Sequence, residues 1–138
     1  MTLIDTAPVV ALLDVRDRDH ILCLSTLPAL RSPLITTLAV ITEAMHLLKA
    51  SAGWTGQDRL HEWIETGRLS IFGLDELRLG RCRGAMQKYR DAPMDFADST
   101  LLIAAEDLQR SRIFTLDQHF YAYRINGTGN FEVIPSLR

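Results

Sequence analysis

The sequence has few of the features that mark secreted, membrane or zinc-binding proteins. Only two cysteines occur in 138 residues, Cys23 and Cys82, and no Cys-x-x-Cys spacing is present. Neither a disulfide framework nor a zinc site is expected, and both thiols are predicted to be small and buried. No apolar run approaches the ~18 residues that span a bilayer, and the N-terminus lacks the basic region and cleavage site of a signal peptide. We expect one cytoplasmic domain, residues 1–138, with no membrane partner.

Several catalytic signatures are also missing. No glycine-rich phosphate loop with a Walker lysine is present, which argues against nucleotide hydrolysis. No Ser-His-Asp arrangement is readable, and neither cysteine has a base at a meaningful spacing. The net charge of −2 gives no global attraction to nucleic acid, so a surface that binds phosphates must be local. The best candidate for such a surface is the set Arg78, Arg81, Arg83, Lys88 and Arg90. The alternative is that these residues form an ordinary helix face exposed to solvent.

Short apolar segments alternate with longer amphipathic segments along the chain. Strands are predicted at residues 3–4, 34–35, 69–74, 111–117 and 131–134, with helices between them. Residues 51–56, with two glycines around Trp54, are predicted to be the clearest break, and residues 126–130 a loop. This alternation predicts a three-layer α/β/α fold with a mainly parallel central sheet. The right-handed crossover rule then places the C-terminal ends of all strands at one edge.

Two aspartates stand where predicted strands end. Asp5 follows the apolar pair Leu3-Ile4, and Asp117 closes residues 111–117. This position is where open parallel sheets keep their ligand sites. The alternative is an ordinary N-cap for Asp5 and an ordinary turn residue for Asp117.

Three further acids begin or interrupt helices. Asp95 and Asp98 follow Pro93 and have the spacing of an N-cap and its third residue, which capping alone explains. Glu43 lies within a run of aliphatic residues, where a carboxylate is costly unless it is paired or bound to a cation. The alternative for Glu43 is a polar helix face that it shares with Thr42, His46 and Lys49.

Carboxylates from all these segments are expected to meet at one edge of the sheet. Like charges ~4 Å apart repel by several kcal/mol at an effective dielectric near 20, so such a cluster persists when a divalent cation neutralises it. Oxygen ligands without Cys or His favour Mg²⁺ or Mn²⁺ over zinc. A metal in an open carboxylate site lowers the pKa of a bound water and holds a phosphate in line with it. The sequence therefore favours a phosphoryl-transfer site.

Four motifs in this order resemble the PIN-domain family, and most of all the VapC-type toxins of bacterial toxin–antitoxin pairs. They are Leu3-Ile4-Asp5-Thr6, residues 37–43, Met94-Asp95-Phe96-Ala97-Asp98-Ser99 and Phe114-Thr115-Leu116-Asp117. Each motif alone is weak, but the ordered series extends over nearly the whole chain. The resemblance implies a PIN-like fold and a Mg²⁺- or Mn²⁺-dependent endoribonuclease. Such a toxin is usually a homodimer, and a cognate antitoxin protein silences it.

The resemblance also assigns roles to single residues. Asp5, Glu43, Asp98 and Asp117 match the acidic quartet of the family. Asp5 and Asp98 would be the main metal ligands, Glu43 would orient the water, and Asp117 would act through water or a second ion. Asp95 would be a secondary ligand or only the helix cap.

Polar residues beside the quartet are expected to contact carboxylates or the scissile phosphate. Thr6 and Thr115 are the candidates. Ala7 departs from the family, which often has glycine or a small polar residue there, but no metal ligand is lost. The basic residues expected to contact the RNA backbone are Arg78, Arg81 and Arg83.

Two other functions remain open at the level of the sequence. A degenerate PIN domain would bind RNA or a protein partner without cutting, although the presence of all four acids speaks against this. A DNA nuclease of related fold is a third possibility. The identity of the RNA and the number of metal ions are not encoded in any readable motif.

Overall fold

Five short parallel strands form the centre of the molecule, and the computed structural model describes every residue from Met1 to Arg138. The strands are β1 (Thr2–Ile4), β2 (Leu34–Thr37), β3 (Leu69–Phe72), β4 (Arg112–Phe114) and, after the short pair β5 (Arg124–Ile125) and β6 (Gly129–Asn130), β7 (Glu132–Ile134). Their order in the sheet is β3-β2-β1-β4-β7. Most of their residues are apolar, as expected for strands that are covered on both faces.

The register of the sheet aligns the residues that follow the strands. Leu3 pairs with Ile35 on one side and with Ile113 on the other. Ile4 pairs with Phe114, so Asp5 and Thr115 emerge side by side from neighbouring strands. The backbone N–H of Asp5 donates to the Phe114 carbonyl at 3.0 Å, which extends the ladder to the edge.

Six α-helices cover the two faces of the sheet. They are α1 (Thr6–Leu13), α2 (His20–Thr26), α3 (Leu38–Ser51), α4 (Gly53–Glu65), α5 (Glu76–Lys88) and α6 (Phe96–Leu108), with 3₁₀ turns at Leu27–Ala29 and Gln118–Tyr121. Four of the six have a polar side chain that caps the first turn, namely Asp5, Thr37, Asp75 and Asp95. None of the helices combines the length and apolarity that crossing a membrane requires.

The core has two parts, one on each side of the sheet. On one side α6 packs its residues Leu101 and Leu102 against the aromatic side chains of Phe120 and Tyr123. On the other side α1, α3 and α4 meet around a second apolar cluster. Each large aliphatic or aromatic side chain buried there contributes roughly 1.5–3 kcal/mol to the stability of the fold. Cys23 and Cys82 are both buried free thiols, as predicted.

The predicted fold class is confirmed. All five sheet strands lie where the sequence placed them, and all of their pairings are parallel. Strands β3 and β4 are shorter than predicted, because Gly73 and Thr115 already belong to the turns at the edge.

The break predicted at residues 51–56 is wrong in extent. Helix α3 ends at Ser51 and α4 begins at Gly53, so a single residue, Ala52, separates them. Gly53 makes this possible with a φ of +64°, a left-handed conformation that glycine adopts without strain. Gly56 is helical, and a Cβ built on it would stand 2.7 Å from the Ala52 Cβ. The two glycines therefore mark a tight helix–helix junction, which a composition rule cannot distinguish from a loop.

One other segment also differs from expectation. Residues 126–130, predicted as a loop, are the turn and second strand of the hairpin β5–β6, because Asn126 and Gly127 both adopt positive φ, as tight hairpin turns require. In α5, Gly80 and Gly84 have open space beside them, since a Cβ on either would meet nothing within 4 Å.

Candidate active site

Asp5 stands at the end of β1 with both carboxylate oxygens held. Oδ1 accepts the backbone N–H of Thr6 at 2.8 Å, which makes Asp5 the N-cap of α1. Oδ2 accepts the hydroxyl of Thr115 at 2.8 Å. Asp5 is only 7% exposed. It is thus both the helix cap that ordinary chemistry predicts and a buried acid at the edge of the sheet.

Asp98 comes to the same edge on the first turn of α6. Its backbone N–H donates to Asp95 Oδ1 at 2.8 Å, and its Oδ2 accepts the Asp95 N–H at 3.3 Å, so the two acids form a capping box. Asp95 is exposed, as a cap should be, whereas Asp98 is 6% exposed. Capping does not require such burial, so the role of Asp98 as a cap does not explain why its side chain is buried.

The carboxyls of Asp5 and Asp98 interact with each other. Burial raises the pKa of Asp5 to about 6, against hydrogen bonds from Thr115 and Thr6 that lower it, and nearby Asp117 and Glu43 raise it further. Burial also raises the pKa of Asp98 to about 8, with the negative charges of Asp5, Asp95 and Asp117 adding to the effect. Each of the five predicted acids therefore lies within electrostatic reach of at least two of the others.

No lysine or arginine side chain forms an ion pair with any of these acids. Arginine ion pairs occur elsewhere in the molecule, and none involves Asp5, Glu43, Asp95 or Asp98. Two buried acids of raised pKa without a cation are costly for folding. Arrangements of this kind concentrate at functional sites.

Glu43 lies on the exposed face of α3 together with Thr42, His46 and Lys49, as the alternative for this residue anticipated. Its carboxyl is nevertheless close to the other acids. Partial burial of the carboxyl raises its pKa, and the neighbouring charge of Asp95 raises it further. Glu43 thus borders the buried pair from the solvent side.

Asp117 caps the 3₁₀ turn that follows β4. Its Oδ1 accepts the backbone N–H of His119 at 2.9 Å and lies 2.7 Å from the Nδ1 of the same residue. Its backbone N–H donates to the Thr115 hydroxyl at 3.0 Å. Asp117 is therefore a turn residue, as the alternative expected, and is linked through Thr115 to Asp5.

Two residues at the site were missed by sequence reasoning. The buried Tyr123 hydroxyl lies 3.4 Å from Asp98 Oδ2, and its ring packs edge-on against Tyr89 and Phe120 with centroids 5.1 Å apart. Nothing in the sequence around Tyr123 signals this position, because it depends on how the segment after β4 folds back. His119 had a local signal, since it stands two residues after a predicted site aspartate.

The basic residues expected to contact substrate divide into two groups. Arg78 donates to Asp107 at 2.6 Å, and Arg81 pairs with Asp107 at 2.7 Å and with Glu106 at 3.0 Å. These contacts tie α5 to the C-terminal turns of α6, away from its acidic first turn. Arg83 is exposed and lines a groove with Arg90 and Phe96, the first residue of α6. Of the three arginines, only Arg83 forms no ion pair, and its groove reaches Phe96, the residue after Asp95.

Whether the residues suit a divalent cation is a question of chemistry and of geometry. The donor set consists of carboxylates and hydroxyls, which suits Mg²⁺ or Mn²⁺. The Thr6 hydroxyl is buried beside these acids and lowers the pKa of Glu43. As the side chains stand, however, no three acidic, imidazole or thiol groups converge on one point. The chemistry of the residues fits the ion, while a formed coordination sphere is not part of this structure.

Comparison with known proteins shows what the fold is similar to. Neither models of known protein families nor curated protein sequences match the chain. Among solved structures, VapC20 of Mycobacterium tuberculosis, a toxin that cleaves the sarcin-ricin loop, gives a TM-score of 0.78 at 13% identity, over 85% of this chain and 90% of that one. A toxin–antitoxin complex from Klebsiella pneumoniae gives 0.66 at 17% identity, over 87% and 90%. The chain thus has the fold of these toxins, and the PIN-like architecture expected from the four motifs is confirmed.

Proposed function

We propose that this chain is a metal-dependent endoribonuclease of the PIN type, the toxin of a toxin–antitoxin pair. The observation that carries the proposal is the buried pair Asp5 and Asp98, whose pKa values are raised with no cationic side chain beside them. The pair lies at the C-terminal edge of a parallel sheet, where ligand sites of such folds are found. The similarity to a toxin that cleaves the sarcin-ricin loop supports RNA as the substrate class.

The proposed cofactor is Mg²⁺ or Mn²⁺. Asp5 and Asp98 would be its main ligands, with Asp117 and Asp95 contributing directly or through water. When bound, the ion would lower the pKa of a water molecule and orient the scissile phosphate. Neutralising the repulsion between the two buried carboxylates would favour binding.

The side chains of this protein contribute positioning and proton transfer. Thr115 donates to Asp5 Oδ2 and so fixes its orientation. The capping box fixes Asp98 in the same way through Asp95. Glu43, exposed and of raised pKa, would orient the attacking water at the border of the site and accept a proton from it.

The proposed partners follow from the same comparison. A toxin–antitoxin complex among the similar structures supports a cognate antitoxin that binds this chain and silences it. A homodimer is proposed as the form of the free toxin, in line with the family that the motifs resemble.

Cleavage of total cellular RNA by the purified protein tests the proposal. We expect discrete fragments with Mg²⁺ or Mn²⁺, none with EDTA, and none from the Asp98→Asn variant. The matched control is Asp58→Asn, which alters an exposed acid of α4. The control should cut like the wild type. Cleavage by Asp98→Asn at the wild-type rate would show that the site has been assigned wrongly.

A non-catalytic module that binds RNA or a protein is the second candidate. The observation in its favour is that no three acidic groups converge on one point. A thermal melt separates the two candidates. The nuclease predicts that Mn²⁺ raises the melting temperature of the wild type and not of Asp98→Asn, whereas the module predicts no shift in either.

A further inference from the structure

An exposed aromatic side chain stands beside the acid pair. Phe96 is the first residue of α6, directly after Asp95, and it is 45% exposed. It belongs to neither apolar cluster of the core, and its ring pairs with no other aromatic ring. The capping box of α6 fixes the backbone on both sides of it. A large apolar side chain is thus held in solvent next to the proposed cutting centre, where packing of the core does not account for it.

Phe96 lines an apolar groove of about 480 Å³ at the C-terminal edge of the sheet. The other walls are the start of α3, the end of β3 with the turn after it, and Leu79 of α5. Near the acids the groove includes Thr42, which precedes Glu43, and Thr100 of α6. Strand β3 lies two positions from β1 in the sheet, roughly 10 Å away. The groove therefore extends along the sheet edge from the acids towards β3.

The groove presents an apolar surface with one uncovered ring. Its only polar side chains are Thr42, which donates to a carbonyl of α3 at 2.8 Å, and Thr100, which donates to a carbonyl of α6 at 2.6 Å. The second aromatic ring, that of Phe72, lies under the guanidinium of Arg78, which is 4.9 Å from the ring centroid. Phe96 is therefore the ring that is free to stack on a ligand.

On its other side, Phe96 borders the groove that contains Arg83 and Arg90. Neither arginine forms an ion pair with an acid. The ring thus stands between an apolar surface and two guanidinium groups that have no acidic partner. Proteins that bind single-stranded nucleic acids combine these two elements, because bases stack on aromatic rings while cationic groups follow the phosphates.

A nucleobase suits this groove better than an extended peptide does. A base places its flat face on the ring while its hydrogen-bonding edge stays in water, so it needs no donor or acceptor from the groove. An extended peptide would need partners for its N–H and C=O groups, and the threonine hydroxyls are already used. The groove also continues directly from the site proposed for the scissile phosphate.

We infer that the Phe96 ring stacks on an unpaired base of the RNA substrate next to the scissile phosphate. This inference rests on the proposed nuclease function, and it adds that the RNA must be single-stranded at this nucleotide. Because no free polar side chain of the groove reads the edge of the base, the site selects by stacking strength. It should therefore favour purines over pyrimidines.

Three variants test the inference. Phe96→Ala removes the ring, Phe96→Leu keeps an apolar side chain without a ring, and Phe96→Trp keeps a ring. The matched control is Leu77→Ala, which alters an 82% exposed apolar residue of α5 outside both grooves. The affinities for a labelled oligoadenylate and for an abasic oligomer of the same length and charge are measured in Ca²⁺ at fixed ionic strength. Cleavage of total RNA in Mn²⁺, Mn²⁺ affinity and the midpoint of urea unfolding are measured alongside.

The wild type should bind the oligoadenylate about tenfold or more tightly than the abasic oligomer. Phe96→Ala and Phe96→Leu should lose this preference, whereas Phe96→Trp and Leu77→Ala should keep it. All variants should bind the abasic oligomer like the wild type, because the phosphate contacts are unchanged. Mn²⁺ affinity and the unfolding midpoint of Phe96→Ala should stay near those of the wild type, while its cleavage rate falls together with its RNA affinity.

Other outcomes overturn the inference in distinguishable ways. If the wild type cuts RNA but shows no preference for bases, or if Phe96→Ala keeps the preference, stacking is refuted and the nuclease function stands. Wild-type affinity in Phe96→Leu would refute stacking in favour of a general apolar contact. If Phe96→Ala changes only the oligomeric state in sedimentation, the groove is a contact between proteins instead. A wild type that neither binds nor cuts RNA would overturn both proposals.

Discussion

At the scale of single residues, the acids of the proposed site also cap helices. Asp5 caps α1, Asp98 completes the capping box of α6, and Asp117 caps a 3₁₀ turn. Each residue stands at the start of a helical segment, where a carboxylate is stabilised by free N–H groups. Capping explains why these acids fold into place. It does not explain why Asp5 and Asp98 are buried next to each other.

This burial predicts how stability depends on pH in the metal-free protein. The folded-state pKa values of Asp5 (about 6) and Asp98 (about 8) lie above the unfolded value of about 4. Between about pH 4 and pH 8 the folded state therefore binds more protons than the unfolded state, and the unfolding free energy falls as pH rises through this range. Urea unfolding in EDTA at pH 5 and pH 8 measures the fall.

Two comparisons check the origin of this pH dependence. Asp98→Asn should show a smaller fall than the wild type, because it removes one of the two groups. Saturating Mn²⁺ should oppose the fall, since metal binding favours the ionised carboxylates. An unfolding free energy that rises between pH 5 and pH 8 in EDTA would contradict the burial of the pair.

The sequence was sufficient to predict the acids but not the hydrogen bonds that neighbouring side chains make to them. Asp5 and Asp117 were predictable because each follows an apolar strand, and all parallel strands end at one edge. The hydrogen bond from Thr115 to Asp5 was not predictable, since it joins residues that lie 110 positions apart in the sequence. Glu43 illustrates a pattern with two solutions. A carboxylate in an aliphatic helix can be buried or can lie on a narrow polar face, and the structure takes the second.

At the scale of elements, glycines decide how helices meet. The junction between α3 and α4 has one residue because Gly53 is left-handed and Gly56 lets the helices approach. In α5, by contrast, the glycines touch nothing, so there they only weaken the helix. The sequence has two glycines in each place, and the hydrophobic periodicity does not show which pair allows helices to pack closely.

This contrast predicts opposite effects of the same substitution. Gly56→Ala should lower the unfolding free energy by about 1–3 kcal/mol, because its Cβ would stand 2.7 Å from the Ala52 Cβ and one helix must shift. Gly84→Ala, the matched control in α5, meets nothing and should raise stability by up to ~1 kcal/mol through helix propensity. Urea unfolding of both variants measures the two effects. A stabilising Gly56→Ala would mean that the junction is looser than described.

The antiparallel pair α5–α6 gives a second prediction at this scale. Arg81→Ala should cost up to about 1 kcal/mol of stability, because its partially exposed pairs with Asp107 and Glu106 join the two helices. Arg83→Ala should leave stability unchanged, and it should weaken RNA binding and reduce the salt slope by about 1 if it contacts a phosphate. Urea unfolding and RNA titrations at several salt concentrations separate the two roles. Equal RNA affinity of wild type and Arg83→Ala at every salt concentration would remove Arg83 from the substrate surface.

At the scale of the whole molecule, the fold follows from alternation and handedness. Short apolar strands separated by amphipathic helices give a parallel sheet, and right-handed crossovers bring all the acids to one edge. That much is readable from the sequence because each step depends on local pattern. The proposed metal ion, dimer and RNA substrate are not readable in this way, because each depends on groups that lie outside the chain.

The distribution of the site along the chain has a consequence during synthesis. The acid pair joins residue 5 to residue 98, and the hydrogen bond that orients Asp5 comes from Thr115 on β4. The Thr115 N–H in turn donates to the Ile134 carbonyl at 3.2 Å, at the end of β7. A ribosome must therefore have released residues 1–134 before the site can assemble. For the proposed ribonuclease, a nascent chain shorter than this would not yet cut RNA.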